Sequence, residues 1–145
     1  MTMSDFQHEA LLMRKEKSLV YTAMSKLNFC YRQYISAFAL KQGVVPLNPF
    51  MNWDYFLSDL VERDLVREGN NNLVKRSDEI WVFGSISNGV LAEIKIAHEL
   101  GKTVKFFRIE SATHYIPIQL REVIFEDEVA SFREALLSSS DATSE

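Results

Sequence analysis

Glu93 has the residue type and the position that most plainly call for a chemical explanation. Placed on a helical wheel at roughly 100° per residue, Val90 to Leu100 gathers Val90, Ile94, Ile96, Ala97 and Leu100 on one side, with Lys95, His98 and Glu99 opposite or to the flank. Glu93 falls inside the apolar group, between the directions of Leu100 and Ala97. Burying an unpaired carboxylate is expensive, so two accounts compete. In the first, an acid in the opening turn interacts favourably with the helix dipole, worth ~0.3–1 kcal/mol. A capping box does not add to this, because the position three residues earlier is Val90. In the second, Glu93 projects into a pocket at the carboxyl edge of the sheet. The wheel alone leaves both open.

The turn before this helix, Ser85 to Gly89, carries a second possibility. Ser85, Ser87, Asn88 and Gly89 stand beside a helix N-terminus, whose free N–H groups can cradle an anion such as a phosphate. Gly89 is equally suited to simple conformational relief. Neither the dinucleotide fingerprint nor the P-loop consensus is present, so neither a dinucleotide nor a nucleoside triphosphate is specifically indicated. His8, His98 and His114 lie far apart without Cys/His ligand spacing. No metal site and no cofactor are therefore expected.

The elements that must position these residues follow an alternating order. Leu19 to Ala23 reads as a strand, Asn28 to Gln42 as an amphipathic helix closed at Gly43, and Val44 to Leu47 as an edge strand, since Pro46 cannot donate to a ladder. After Asn48-Pro49, a stripe beginning at Trp53 and running through Phe56, Leu57, Leu60 and Val61 predicts a helix extending or restarting toward Lys75. Ile80 to Phe83 is a strand buried on both faces. Val90 to Leu100 is the next helix and Thr103 to Ile109 the fourth strand. Val123 to Phe125 is a candidate fifth strand and Asp127 to Leu137 a last helix. Residues 1–16 read as a polar leader, 1–137 as one domain, and 138–145 as a disordered tail.

This order predicts an α/β fold: a three-layer, flavodoxin- or Rossmann-like parallel sheet of four to five strands with helices on both faces. Ligands in such folds sit beyond the carboxyl ends of the strands. Function is therefore expected after Ala23, Leu47, Phe83 and Ile109.

The 145 residues carry 16 Lys and Arg against 20 Asp and Glu, a net charge of -4. That balance argues against nucleic acid and against a polybasic membrane anchor. Cys30 is the lone cysteine, so no internal disulfide forms, and no apolar run approaches a secretory signal or a spanning helix. A cytoplasmic location is the expectation.

Ser77 to Gly84, then Ser87-Asn88-Gly89-Val90-Leu91-Ala92-Glu93, Ala97 and Gly101 to Val104 resemble the core of the nucleoside 2-deoxyribosyltransferase-like superfamily, which includes nucleoside 5'-monophosphate N-glycosidases. Val20-Tyr21-Thr22-Ala23 and Asn48-Pro49 match more loosely. The likeness spans roughly residues 18 to 109.

The resemblance implies that Glu93 is a nucleophile. It would attack the anomeric carbon of the (deoxy)ribose while staying ionised in a dry pocket. It further implies that Ser87 binds sugar or phosphate, with the Ser87–Gly89 N–H groups on a 5'-phosphate. Tyr21, with a catalytic role, and an aromatic from the Phe50–Phe56 stretch would meet the base; Asn48 and Ser85 would complete the binding set. Asp78 would orient a base or a neighbouring chain, although an Asp entering a strand more often serves the fold.

The implied partners are a nucleoside or nucleotide and further copies of the chain in a homo-oligomer. Two departures stand out. Lys95 occupies a place commonly held by Gly, and Ser85–Asn88 offers no acid for the sugar hydroxyls. These departures keep a second expectation alive, a nucleotide or nucleotide-sugar binding module that does not cleave.

Overall fold

The computed structural model describes residues 1–143, with side chains as far as Ser140. Five strands form a single sheet in the order β2-β1-β3-β4-β5. They are β1 (Leu19–Met24), β2 (Val45–Leu47), β3 (Glu79–Phe83), β4 (Thr103–Ser111) and β5 (His114–Ile118). The first four run parallel and β5 returns antiparallel along β4.

The α/β expectation holds, with one amendment at the edge. The fifth strand is His114–Ile118, not Val123 to Phe125. Pro117 is tolerated there because β5 is an outer strand. Its Tyr115 is buried against Phe38, with ring centroids 5.1 Å apart. Phe125 instead forms a single bridge to Ile86. The backbone bonds Ile86 N to Ile124 O and Glu126 N to Ile86 O, both 2.9 Å, clamp the segment to the loop after β3.

Among the described residues, five helices cover the sheet: α1 (Arg32–Lys41), α2 (Pro49–Asn52), α3 (Arg63–Arg76), α4 (Asn88–Glu99) and α5 (Arg133–Thr143). Strand alternation divides the core in two. Val20, Met24, Trp81, Phe83 and Phe107 face Ile35 and Ala39 of α1. Tyr21, Ala23, Ile80 and Val82 face Val74 of α3, Val90, Ile94 and Ala97 of α4, and Leu136 of α5. The run Ile80 to Phe83 is accordingly buried on both sides.

Three other expectations change. The first helix opens as a 3-10 turn, Lys26–Tyr31, before α1 begins. The helix expected from Trp53 does not form as one piece. Asp54, Phe56, Leu57, Ser58 and Asp59 all have φ between 52° and 60°, a left-handed turn of residues other than glycine. Such backbone costs about 1–2 kcal/mol per residue and persists only where packing demands it.

The last helix continues through Ser138 to Thr143, where a disordered tail was expected; 144–145 lie outside the described residues. Leu136 is buried and leads the helix out of the core, and the segment contains neither Gly nor Pro to stop it. The leader forms two exposed 3-10 turns, Met3–Asp5 and Glu9–Leu12. Among the described residues, no helix is long and apolar enough to cross a membrane.

Candidate active site

The strand order 2-1-3-4-5 reverses direction between β1 and β3, and the crevice above such a point is where open α/β sheets bind ligands. A hollow of ≈ 670 Å³ lies there, within the range of small-molecule sites. Its walls come from the end of β1, from α2 and the left-handed turn, from one face of α3, from the first turns of α4, and from Glu126 and Glu128.

Ser87 builds the near wall. It is the N-cap of α4, its Oγ accepting from Val90 N at 3.3 Å. The helix therefore starts at Asn88, and Glu93 stands in its second turn. The helix-dipole account of Glu93 weakens accordingly, because that effect fades beyond the first turn. The residue lines the hollow half-buried, but its Oε2 is sealed from solvent and has no hydrogen-bond partner.

Beneath it lies Tyr21, fully buried, whose Oη also completes no hydrogen bond. The two polar ends are nonetheless close enough to act on each other. Burial pushes the Glu93 carboxyl from 4.5 up to about 8, and Tyr21 opposes part of that rise. Burial, and then the charge of Glu93, push the Tyr21 phenol well above its ordinary value. Near neutral pH the unliganded carboxyl is therefore mostly protonated, which corrects the expectation of an ionised one.

Among the other expected site residues, Asn88 and Gly89 line the hollow beside Ser87. A Cβ on Gly89 would meet nothing within 4 Å, so this glycine leaves open space at the helix end. Ser85 does not line the hollow; its Oγ donates at 2.8 Å to Glu126 Oε2, which does.

Asn48 serves the backbone. Its Oδ1 accepts from Phe50 N and Met51 N to cap α2, and its Nδ2 donates to Met24 Sδ. Asp78 precedes β3 at the opposite end of the sheet, where its Oδ2 accepts from Leu19 N at 2.8 Å. It does not border the hollow. Lys95 is exposed on the outer side of α4.

Several lining residues escaped the sequence reading. Phe50, Trp53 and Phe56 supply the aromatic wall, of which only an unspecified member was expected. Trp53 is held by its Nε1 donating to Asn70 Oδ1 at 2.8 Å. The three-asparagine run that weakened the helix in the sequence thus serves the site through Asn70 and Asn71. Glu126 and Glu128 reach the α4 turn from 41 and 40 residues away, Glu128 accepting from Asn88 N at 3.3 Å. Both line the hollow, and no local spacing announces them.

A second hollow, ≈ 720 Å³, lies over β3 and β4. Its only lining carboxylate, Glu79, is paired with Lys105 at 3.0 Å. An unpartnered, desolvated acid beside a cavity is the stronger functional signal.

Residues 20–107 match the family described as a domain of unknown function, DUF7768. The chain belongs to that family. The DUF7768 match begins in β1 and ends in β4, so it includes Tyr21, the Ser85–Gly89 turn and Glu93. No curated protein matches the chain. Among solved structures, the fold of this DUF7768 protein is similar to that of the 2-desoxiribosyltransferase from Leishmania mexicana. The TM-score is 0.51 at 19% identity, covering 81% of this chain and 97% of that one. At that identity the likeness is one of fold, and it agrees with the α/β architecture expected from the residues.

Proposed function

We propose that this protein cleaves or transfers the N-glycosidic bond of a (deoxy)nucleoside or its 5'-monophosphate, with Glu93 as nucleophile. The carrying observation is the Glu93 carboxyl itself, desolvated and unpartnered beside a nucleoside-sized hollow. The similar solved structure, named as a 2-desoxiribosyltransferase, adds support at the level of fold.

In the first step a Glu93 oxygen forms a bond to the anomeric carbon as the bond from that carbon to the base nitrogen breaks. The electron pair leaves with the base, which takes a proton from water. In the second step water, or the nitrogen of another base, attacks the same carbon and releases the carboxylate. Phe50, Trp53 and Phe56 offer surfaces for stacking the base. Exposed Leu27, Leu60 and Leu65, on segments bordering the hollow, support association of copies.

A second reading, binding without turnover, draws on the raised Glu93 ionisation. A protonated carboxyl donates a hydrogen bond to a ligand but does not attack it.

The deciding measurement is base release from a panel of nucleosides and their monophosphates across pH. For the enzyme, kcat/KM rises about tenfold per pH unit toward 8 and then levels, and Glu93→Gln loses at least about a thousandfold at every pH. Saturable calorimetric binding without release of base assigns the module instead.

A further inference from the structure

Resting on the nucleoside reading above, we propose that Glu126 and Glu128 set the specificity of the site. They close the N-terminus of α4 to phosphate and restrict the hollow to ligands whose sugar end is uncharged.

A helix N-terminus beside a small-residue turn would ordinarily attract an anion, because its first N–H groups lack partners and its dipole is positive. In this chain two of those groups, Asn88 N and Val90 N, are already engaged. Ser87 Oγ accepts from Val90 N at 3.3 Å. Glu128 Oε1 accepts from Asn88 N at the same distance. Glu126 Oε2 accepts from Ser85 Oγ at 2.8 Å. Asn88 N, Val90 N and the Ser85 hydroxyl are thus held by the chain's own hydroxyl and carboxylates, which leaves Gly89 N as the open group of the turn.

Charge acts in the same sense at the α4 turn itself. Both carboxylates border the hollow with Asp54, while its lining cations, Lys26, Arg63 and Arg67, stand on other segments. Across from them, Arg63 is paired with Asp59 at 3.1 Å and Arg67 with Asp64 at 2.7 Å. A phosphate dianion would have to displace Glu128 and settle beside Glu126, where like charges repel. A sugar hydroxyl instead donates to either carboxylate without that repulsion.

That the hollow takes a ligand at all is indicated independently. Glu93 lines it with an enclosed Oε2 that completes no hydrogen bond, and the fully buried Tyr21 Oη lies behind that carboxyl, outside the lining. The clamp of Ile86 onto Ile124 and Glu126 keeps the acidic segment against the turn.

The test compares the full chain with Glu126→Gln/Glu128→Gln, which keeps the size and the hydrogen-bonding oxygen of each side chain, and with Glu128→Ala. Titration calorimetry measures the four deoxynucleosides against their 5'-monophosphates, and inorganic phosphate is added in thermal melts. The unaltered protein is expected to favour a nucleoside over its monophosphate by about tenfold or more. The double variant should narrow that ratio about tenfold and gain stability from phosphate, which leaves the unaltered protein unmoved.

An unchanged ratio in the double variant, or a preference of the unaltered chain for the monophosphate, overturns the proposal. If neither nucleosides nor monophosphates bind any of the proteins, the nucleoside reading fails by itself. The phosphate melts still decide the carboxylates' role: equal stabilisation of all three proteins, or of none, rejects it.

Discussion

Glu93 shows how much one side chain can ask of a fold. Its carboxyl holds a proton up to about pH 8 in the folded protein, whereas in the unfolded chain it ionises around 4.5. Below pH 4.5 both states are protonated and the residue adds nothing to the pH dependence of stability. Between 4.5 and 8 the unfolded chain releases its proton first, so stability falls as pH rises. Above 8 the loss is complete, of the order of a few kcal/mol. Glu93→Gln removes the ionisable group, so its melting temperature should match the parent near pH 4.5 and exceed it by roughly 10 °C at pH 8.5. Parallel melting curves across that range would show that the carboxyl is not buried as described. Legibility at this scale was uneven. Glu93, Ser87, Asn88 and Gly89 share one helix and its approach, so local spacing brings them together. Asn48 and Asp78 have equally suggestive types, but backbone N–H groups claim their side chains.

At the scale of elements, the packing of Trp53 against α3 governs the far wall of the site. A Cβ added at Gly69 would lie 2.7 Å from Trp53 Cζ2, closer than atoms can approach. In an exposed helix, Gly→Ala is worth roughly 1 kcal/mol in favour of the alanine. Gly69→Ala is expected to destabilise instead, by about 1–3 kcal/mol, because a ring wedged into the wall has no room to yield. Chemical denaturation measures this, and a midpoint that rises would remove Trp53 from its assigned place. The same packing explains why the stripe from Trp53 was misleading. Phe56 is needed in the aromatic group with Phe50 and Tyr55, and Arg63 lies 4.7 Å over its ring. The backbone between Asp54 and Asp59 reaches those contacts only by turning left-handed. A helical period in the sequence reports which residues are apolar, and it does not report where the neighbouring elements will be.

At the scale of the whole molecule, the sheet carries the site and the leader stands apart from it. Residues 1–18 are exposed throughout, and none of them borders the hollow. Deleting residues 1–13 should leave the melting temperature within about 2 °C and leave base release unchanged. A larger loss in a thermal melt would give the leader a structural role. The parallel core was readable because Ile80 to Phe83 is apolar without interruption and because helices and strands alternate around it. The antiparallel β5 was not, since its stability comes from edge pairing to β4 and from Tyr115 under Phe38. Both contacts lie outside the strand's own sequence.

Sequence by itself determined the alternation of strand and helix, the inward direction of Glu93 and the small-residue turn before it. Each depends on periods of two or 3.6 residues that neighbours along the chain impose. Tertiary structure decided what those residues face. It set Tyr21 beneath the carboxyl, folded Trp53 and Asn70 into the opposite wall, and brought Glu126 and Glu128 across some forty residues to the start of α4. Desolvation and charge pairing depend on distance in space, and only the closed sheet and its helices establish those distances.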